Sequence, residues 1–241
     1  MTARQVQVTA WCMVGLSIVM RGVIIFSGGF YWDDFILQGR AARLPLDVDF
    51  VTYSHDGHLM PAAMVLSWAT ERLAPLEFWL PALEMLLGQL ALGVAGWWLL
   101  RRVFSARPLV LVPLAYFLFT GLTLPGNTWW ASALNAIPLQ VAMVVATAGL
   151  YGYLHGRRPW RQATLVVGSV VVGLAFFEKS VVMLPWLLVA AWMFAPNARP
   201  WPFLRDQWQR ARWLWLALAL VVGGYFWWFS TKETRELSNR R

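Results

Sequence analysis

Cysteine is nearly absent from this sequence, which has one such residue, Cys12, among 241. Because Cys12 lies inside an apolar run, a disulfide framework and a thiolate metal cluster are both excluded. Charged residues are also scarce at 13%, whereas hydrophobic residues make up 59%. A soluble core of this length cannot enclose so much apolar surface, so the composition predicts a membrane protein.

Acidic residues are outnumbered by basic ones, 12 against 20, which gives a formal net charge of +8. The basic residues lie in short clusters between apolar runs, for example Arg101 with Arg102 and Arg210 with Arg212. This spacing is typical of the cytoplasmic loops of a membrane protein rather than of a nucleic-acid-binding surface. We therefore expect membrane lipid as a partner and no nucleic acid.

Long apolar segments predict an all-α membrane protein with about seven transmembrane helices. The connections after the second, fourth and sixth segments are basic, which places them on the cytoplasmic side. The N-terminus is then cytoplasmic, and we expect a multi-pass protein of the plasma (inner) membrane. The expected spans are 8–27, 78–100, 108–124, 137–153, 163–177, 181–196 and 213–229.

The apolar stretch from 163 to 196 is interrupted only by Glu178-Lys179-Ser180. The connections on either side of it are both basic, so the stretch must cross the membrane an even number of times. We therefore expect a tight helical hairpin, with Glu178 and Lys179 at its outer tip.

The longest connection, residues 28–77 (the 28–77 loop), holds seven of the twelve acidic residues and is expected to face outward. Its apolar residues recur at helical spacing from Asp33 to Leu44, which predicts a short helix lying in the membrane interface. Pro61 suits the first turn of a second interfacial helix. Residues 1–230 are expected to form one transmembrane unit, and residues 231–241 a polar, disordered tail.

Two adjacent carboxylates, Asp33 and Asp34, directly follow the first span. A charge at a membrane interface must be solvated, form an ion pair or serve a function, so the two aspartates are a candidate functional site. The alternative is that both residues only cap the helix that follows, because Asp is favoured at helix starts. Later in the same loop, His55, Asp56 and His58 surround a glycine.

A first span, an outward acidic pair, an interfacial helix and then the His-x-x-Pro element from His58 to Pro61 resemble the GT-C superfamily of integral-membrane glycosyltransferases. The protein mannosyltransferase and aminoarabinose transferase branches are the most similar. The resemblance implies a polyprenyl-phosphate-linked sugar as donor, an acceptor at the outer face, and an Asp of the first outer loop beside that acceptor. The first Asp of the pair matches the base, which gives that role to Asp33 and a supporting, metal-linked role to Asp34.

Two features depart from that superfamily. Its members usually continue into further spans and often a soluble outer domain, whereas this sequence ends at Arg241. A fragment, a partner of a second chain that completes the fold, and a minimal relative are the three alternatives. The Pro-Pro pair that those branches often carry after the first loop is here the single Pro61.

Glycosyl transfer from a phosphate needs a carboxylate that takes the acceptor proton and cations that hold the departing phosphate. Amide and aromatic groups suit a sugar, although an aromatic belt explains interfacial Trp equally well. No cofactor is certain, and a divalent metal on Asp34, His55 and His58 competes with simple hydrogen bonding of the two histidines. Candidate donor-phosphate and substrate-binding residues are Lys179, Arg40, Arg43, Glu178, His58, Trp129 and Asn135.

Two charged residues fall inside the expected spans. Arg21 lies six residues before the end of the first span, and Glu84 six residues after the start of the second, so both are about 9 Å deep. Because an isolated charge is costly there, we expect Arg21 and Glu84 to form a structural ion pair. A non-catalytic role, as a lipid or solute carrier or as an accessory subunit, is the alternative to glycosyl transfer, and it would not need the acidic pair.

Overall fold

A computed structural model of the chain describes residues 1–123, 125–156, 158–195 and 199–239. It is 83% helical, in agreement with the all-α class expected from the sequence. Single 3₁₀ turns cover Pro108–Val110, Gly121–Thr123 and Glu178–Val182. The helices and strands are α1 (Ala3–Phe26), α2 (Asp33–Arg43), α3 (Val48–Val51), β1 (Ser54–His55), β2 (His58–Leu59), α4 (Pro61–Leu73), α5 (Trp79–Phe104), α6 (Leu111–Phe119), α7 (Pro125–Thr128), α8 (Trp130–Leu154), α9 (Pro159–Phe176), α10 (Met183–Met193) and α11 (Pro200–Asn239).

Within the described part of the chain, five helices are long and apolar enough to cross a membrane: α1, α5, α8, α9 and the Pro200–Thr231 part of α11. The other two expected spans fall on the shorter helices α6 and α10, which have 9 and 11 residues. An α-helix needs about 20 residues to cross the apolar layer of a bilayer. The structure therefore describes a multi-pass membrane protein and does not confirm the count of seven; residues 124 and 196 of the expected spans lie outside the described residues.

The two helices expected in the 28–77 loop begin at the predicted residues, α2 at Asp33 and α4 at Pro61. Pro61 is the first residue of its helix, where a missing backbone N–H costs nothing. Leu37 and Ala41 are buried on the inner face of α2, as the helical spacing predicted. That these helices lie in a membrane interface stays a prediction.

The break at Glu178-Lys179-Ser180 is also where the sequence placed it, because α9 ends at Phe176 and the 178–182 turn separates it from α10. The tail differs from expectation. Helix α11 continues to Asn239, so the tail is helical rather than disordered, and residues 240 and 241 lie outside the described part. Its Lys, Glu, Arg and Leu residues are good helix formers, and no Gly or Pro interrupts them.

Helix α8 lies at the centre of the bundle, where it packs on α5, α9 and α10. Its contact with α9 relies on small residues such as Ala142, Ala146 and Gly149. A Cβ atom at Gly149 would lie 2.9 Å from the Val166 side chain, which is closer than carbon atoms approach. The small residues therefore let the two helices pack backbone to backbone, as is common in membranes.

Arg21 and Glu84 do not form the expected ion pair. The guanidinium of Arg21 donates to the Leu118 carbonyl at 2.9 Å, on the side of α6. Glu84 accepts from Trp130 Nε1 at 2.9 Å and from the Thr70 hydroxyl, on the side of α4 and α8. The prediction was wrong because equal depth does not determine which way each helix is rotated.

Candidate functional site

Asp34 is the more deeply buried member of the acidic pair, with no exposed surface. Its Oδ2 accepts from the Tyr31 backbone N–H at 2.8 Å and its Oδ1 from the Ala131 N–H at 2.7 Å. Both donors lie at helix starts, one before α2 and one at the beginning of α8, where backbone N–H groups lack partners. Burial raises the pKa of Asp34, while these hydrogen bonds oppose the rise. Asp34 therefore ties α2 to α8, and each of its oxygens already accepts a backbone hydrogen bond.

Asp33 is the member of the pair that keeps an unused oxygen. Its Oδ1 is buried and accepts no hydrogen bond from any described residue, although 15% of the side chain remains exposed. The imidazole Nε2 of His55 lies 3.5 Å away and likewise has no hydrogen-bond partner among the described residues. An unsatisfied buried acceptor is costly, so it is retained in proteins mainly where it is used.

The backbone that presents Asp33 is strained and held by aromatic packing. Trp32, directly before it, has a φ of 46° and a ψ of −106°, a conformation that non-glycine residues rarely adopt. The ring of Phe30 lies 5.2 Å from that of Phe78 and 6.4 Å from that of Trp130, both edge-on. These contacts fix the loop against the starts of α5 and α8, and strain of this kind is concentrated at functional sites.

His55 reaches Asp33 from a small β-hairpin. Strand β1 pairs antiparallel with β2, with His55 opposite His58. Asp56 and Gly57 form the two-residue turn with φ values of 50° and 81°. An Asp-Gly pair between two strands is a strong hairpin signal, because both turn residues need a positive φ. The sequence contained this signal, but a hairpin was not among the elements predicted from it.

His58 holds the other side of the hairpin. Its Nδ1 lies 2.6 Å from Glu178 Oε1, in the turn between α9 and α10. The Tyr225 hydroxyl of α11 donates to the Leu59 carbonyl at 3.1 Å, a contact that the sequence did not reveal. Residues that face each other across an antiparallel pair share one face, so the two histidines connect Asp33 on one side with Glu178 on the other.

The expected cationic residues take different positions around this hairpin. The Arg40 guanidinium lies over the Tyr53 ring, 3.5 Å from its centroid. Arg43 is exposed and donates from Nε to the Gly39 carbonyl at 2.8 Å. Lys179 is exposed beside the Phe177 ring, and the carboxylate of Glu178 is paired with His58 instead of with this lysine. Arg40 and Lys179 are therefore the two expected cations that lie beside the hairpin or its Glu178 contact.

Two of the residues proposed for sugar binding carry unused polar atoms. Trp129 Nε1 and Asn135 Oδ1 are buried without a hydrogen-bond partner among the described residues. The Trp129 ring packs edge-on against that of Tyr31, 5.9 Å between centroids, which places it beside the loop that carries Asp33. Both polar atoms of the buried Gln38 side chain on α2 also lack a hydrogen-bond partner among the described residues, and no sequence pattern singled this residue out.

The metal ligands expected from the sequence do not come together. Each oxygen of Asp34 accepts from a backbone N–H group, and His58 is paired with Glu178. Instead, one ligand atom each from Asp33, His55 and Asp56 lie within 4.8 Å of one another. The ligand set changes because His55 and His58, although on one face, reach toward different segments.

Two cavities lie along α8 below this region. The larger, of about 570 Å³, is apolar and lies between α5, α8 and α9. The smaller, of about 60 Å³, is lined by Glu84 and Trp130, one residue from the amide that Asp34 binds. Both cavities are bounded by Gly88, Ile137 and Pro138, so together they follow α8 from its middle toward its start.

Comparisons with known proteins add no family to these observations. No protein-family model, curated protein or solved structure matches the chain.

Proposed function

We propose that this chain transfers a sugar from a polyprenyl-phosphate-linked donor to an acceptor at the outer face of a membrane, with Asp33 as the base. The observation that supports the proposal is the unpartnered oxygen of Asp33, held on a strained backbone beside His55. A residue that served only as a helix cap would have its oxygens bonded to backbone N–H groups, as Asp34 does.

The reaction follows from the chemistry of the acetal carbon. An acceptor hydroxyl oxygen bonds to the anomeric carbon as the bond from that carbon to the phosphate oxygen breaks, and the electron pair leaves with the polyprenyl phosphate. The acceptor proton passes to Asp33, whose negative charge also favours the oxocarbenium-like transition state. A positioned base of this kind contributes roughly 10²- to 10⁴-fold to a rate.

The lipid-linked donor has two parts that need different surroundings. Its isoprenoid chain suits the apolar cavity of about 570 Å³ between α5, α8 and α9. Its phosphate needs a cation, for which Arg40 and Lys179 are the candidates beside the hairpin and its Glu178 contact. Asn135 and Trp129 are the groups that we assign to the sugar.

We further propose that the chain crosses the membrane seven times, with α6 and α10 completing two crossings together with their adjacent 3₁₀ turns. Helix α6 packs along α1, where Val110 shares a buried cluster with Val6 and the Leu118 carbonyl accepts from Arg21. It therefore follows α1 for most of its length.

The contacts of α11 support the crossing by α10. Tyr153, near the end of α8, donates to the Arg210 carbonyl, whereas Tyr225 bonds to the hairpin, so α11 runs from one end of the bundle to the other. Since Glu178 also contacts the hairpin, the chain must reach the opposite end of the bundle between Glu178 and Arg210. In a Cys12→Ala background, Lys179→Cys should react with an impermeant maleimide from outside and Arg199→Cys only after the membrane is opened. Labelling of both from one side would contradict seven crossings.

In this arrangement the N-terminus is cytoplasmic in the plasma (inner) membrane, and α2 and α4 lie in the outer interface. The amphipathic character of α2 supports that position, since Leu37 and Ala41 are buried while Arg43 is exposed.

A second candidate function is lipid binding without catalysis, as a carrier or an accessory subunit. The apolar cavity between α5, α8 and α9 favours it, because a groove that holds a lipid chain needs no base. The two functions differ in what Asp33 must do.

Radiolabelled polyprenyl-phosphate sugars, incubated with membranes enriched in the protein, test the proposal directly. We expect transfer by the wild type and by Asp49→Asn, which removes an exposed carboxylate of the same loop. Asp33→Asn should abolish transfer, because the amide keeps the shape of the side chain and loses the base. Near-normal transfer by Asp33→Asn would refute the catalytic assignment, and lipid binding without transfer by any variant would favour the second function.

A further inference from the structure

The three side chains Asp33, His55 and Asp56 form a cluster that the transfer reaction alone does not explain. One ligand atom from each lies within 4.8 Å of the other two. They come from two separate segments, the start of α2 and the hairpin, so chain connectivity does not force them together. Carboxylate oxygens and imidazole nitrogens are both ligands of divalent first-row metals.

His55 provides an observation that is independent of the acidic residues. Its side chain is 9% exposed, and its Nε2 has no hydrogen-bond partner among the described residues and lies 3.5 Å from Asp33 Oδ1. A buried imidazole nitrogen normally satisfies its bonding capacity. Here the nitrogen lies near Asp33 Oδ1, which is also unsatisfied, but the two atoms do not form a hydrogen bond.

The separation of these two atoms suits a shared metal ion. In a tetrahedral site with bonds of about 2.1 Å, neighbouring ligand atoms are about 3.4 Å apart, close to the 3.5 Å between Asp33 Oδ1 and His55 Nε2. Asp56 is exposed at the hairpin turn, so its side chain can rotate to bind without disturbing packing. Three protein ligands leave a fourth position open, as in catalytic rather than structural zinc sites.

We propose that Asp33, His55 and Asp56 bind one divalent metal ion of the zinc type in an open three-ligand site at the hairpin. Asp33 binds the ion through Oδ1, so with the metal bound the acceptor proton passes to Oδ2 and not to the oxygen that is unpartnered in the metal-free chain. The open position suits a phosphate oxygen of the donor; this use of the metal rests on the proposed function, whereas binding of the ion does not.

Zinc titration of the detergent-purified full chain, after stripping with a chelator, tests the site. We expect one tight site per chain, weakened by about a hundredfold or more in His55→Gln and in Asp56→Asn, since even changes to residues behind the ligands cost 10- to 100-fold. His155→Gln is the matched control, because His155 stacks on Tyr151 at the far end of α8. The absence of a stoichiometric site, or equal affinity in His55→Gln and His155→Gln, would overturn the proposal.

X-ray absorption spectroscopy of the zinc-loaded wild type keeps the test independent of how the variants fold. The proposed set contains one imidazole, whereas Asp34, His55 and His58 would give two, and a two-imidazole spectrum would therefore overturn it. Transfer assays with and without chelation separate the two proposals. Zinc binding without any transfer would leave the metal site standing and remove the proposed reaction, and transfer by a chain that binds no zinc would do the reverse.

Discussion

The two adjacent aspartates should respond in opposite ways to the same substitution. In Asp34→Asn, one of the two acceptors becomes an NH₂ group that faces a backbone N–H at hydrogen-bond distance. A buried polar group left unsatisfied costs about 1–3 kcal/mol. Release of the burial cost of the carboxylate offsets part of this, so the lower half of that range is the expectation.

Asp33→Asn should leave the free energy of unfolding almost unchanged, within about 0.5 kcal/mol, because the buried oxygen of Asp33 has no hydrogen bond to lose. Thermal unfolding in detergent measures the difference. At about 2–4 °C per kcal/mol for a chain of this size, Asp34→Asn should unfold roughly 2–8 °C earlier, while Asp33→Asn should have the melting temperature of the wild type. Transfer activity should show the reverse pattern: Asp33→Asn should lose it, whereas Asp34→Asn should retain activity in proportion to its folded fraction.

The pH dependence of stability provides a second readout of the same reasoning. The pKa of Asp34 is raised above its ordinary value of 3.8. The contribution of this residue is therefore fully present below pH 3.8 and is lost as the pH rises through the folded-state pKa. Asp34→Asn should lack that slope. Equal melting of the two variants, or loss of stability in Asp33→Asn alone, would refute the division of roles between the two residues.

Three further predictions follow from the packing. Arg21→Met and Glu84→Gln should destabilise additively, within about 0.5 kcal/mol in a double-mutant cycle, because the two charges bind different partners. Gly96→Ala should destabilise the protein by about 1–3 kcal/mol, because the new Cβ atom would lie 2.6 Å from the ring of Phe117. Gly168→Ala should stabilise it by up to about 1 kcal/mol, because a Cβ atom there meets nothing within 4 Å and Ala favours the helix. Thermal unfolding distinguishes the two variants. Lys179→Met should raise the KM for the donor by about tenfold, the loss of roughly 1.4 kcal/mol of phosphate binding, without a change in melting temperature.

Element positions in the 28–77 loop were predictable because their signals are local. A helix that begins at Pro61 and another that begins at the acidic pair depend on residues within one or two turns. The break at Glu178 was equally local, since charged and polar residues interrupt an otherwise apolar run. The Asp56-Gly57 turn belongs to the same class and could have been read as a hairpin.

The roles of individual side chains could not be predicted in the same way, because they depend on contacts between distant segments. Asp33 and Asp34 are chemically identical, and one of the contacts that distinguish them comes from Ala131, 97 residues after Asp34. His58 is a plausible metal ligand until Glu178 is placed beside it, 120 residues away. Likewise, the depth of Arg21 and Glu84 was readable from the sequence, but their rotation about the helix axes was not.

The bond from Asp34 to the start of α8 has a consequence for how the protein is made. Asp34 is synthesised 97 residues before Ala131, whose backbone N–H donates to its Oδ1. Until α8 has been inserted, Asp34 lacks one of its two backbone donors. Burying a carboxylate without that hydrogen bond is costly, so Asp34 is more stable in contact with water. The 28–77 loop can therefore form its complete set of hydrogen bonds only after α8 has been inserted. We therefore expect the site to assemble only once α8 is present, and not with the first two membrane helices alone.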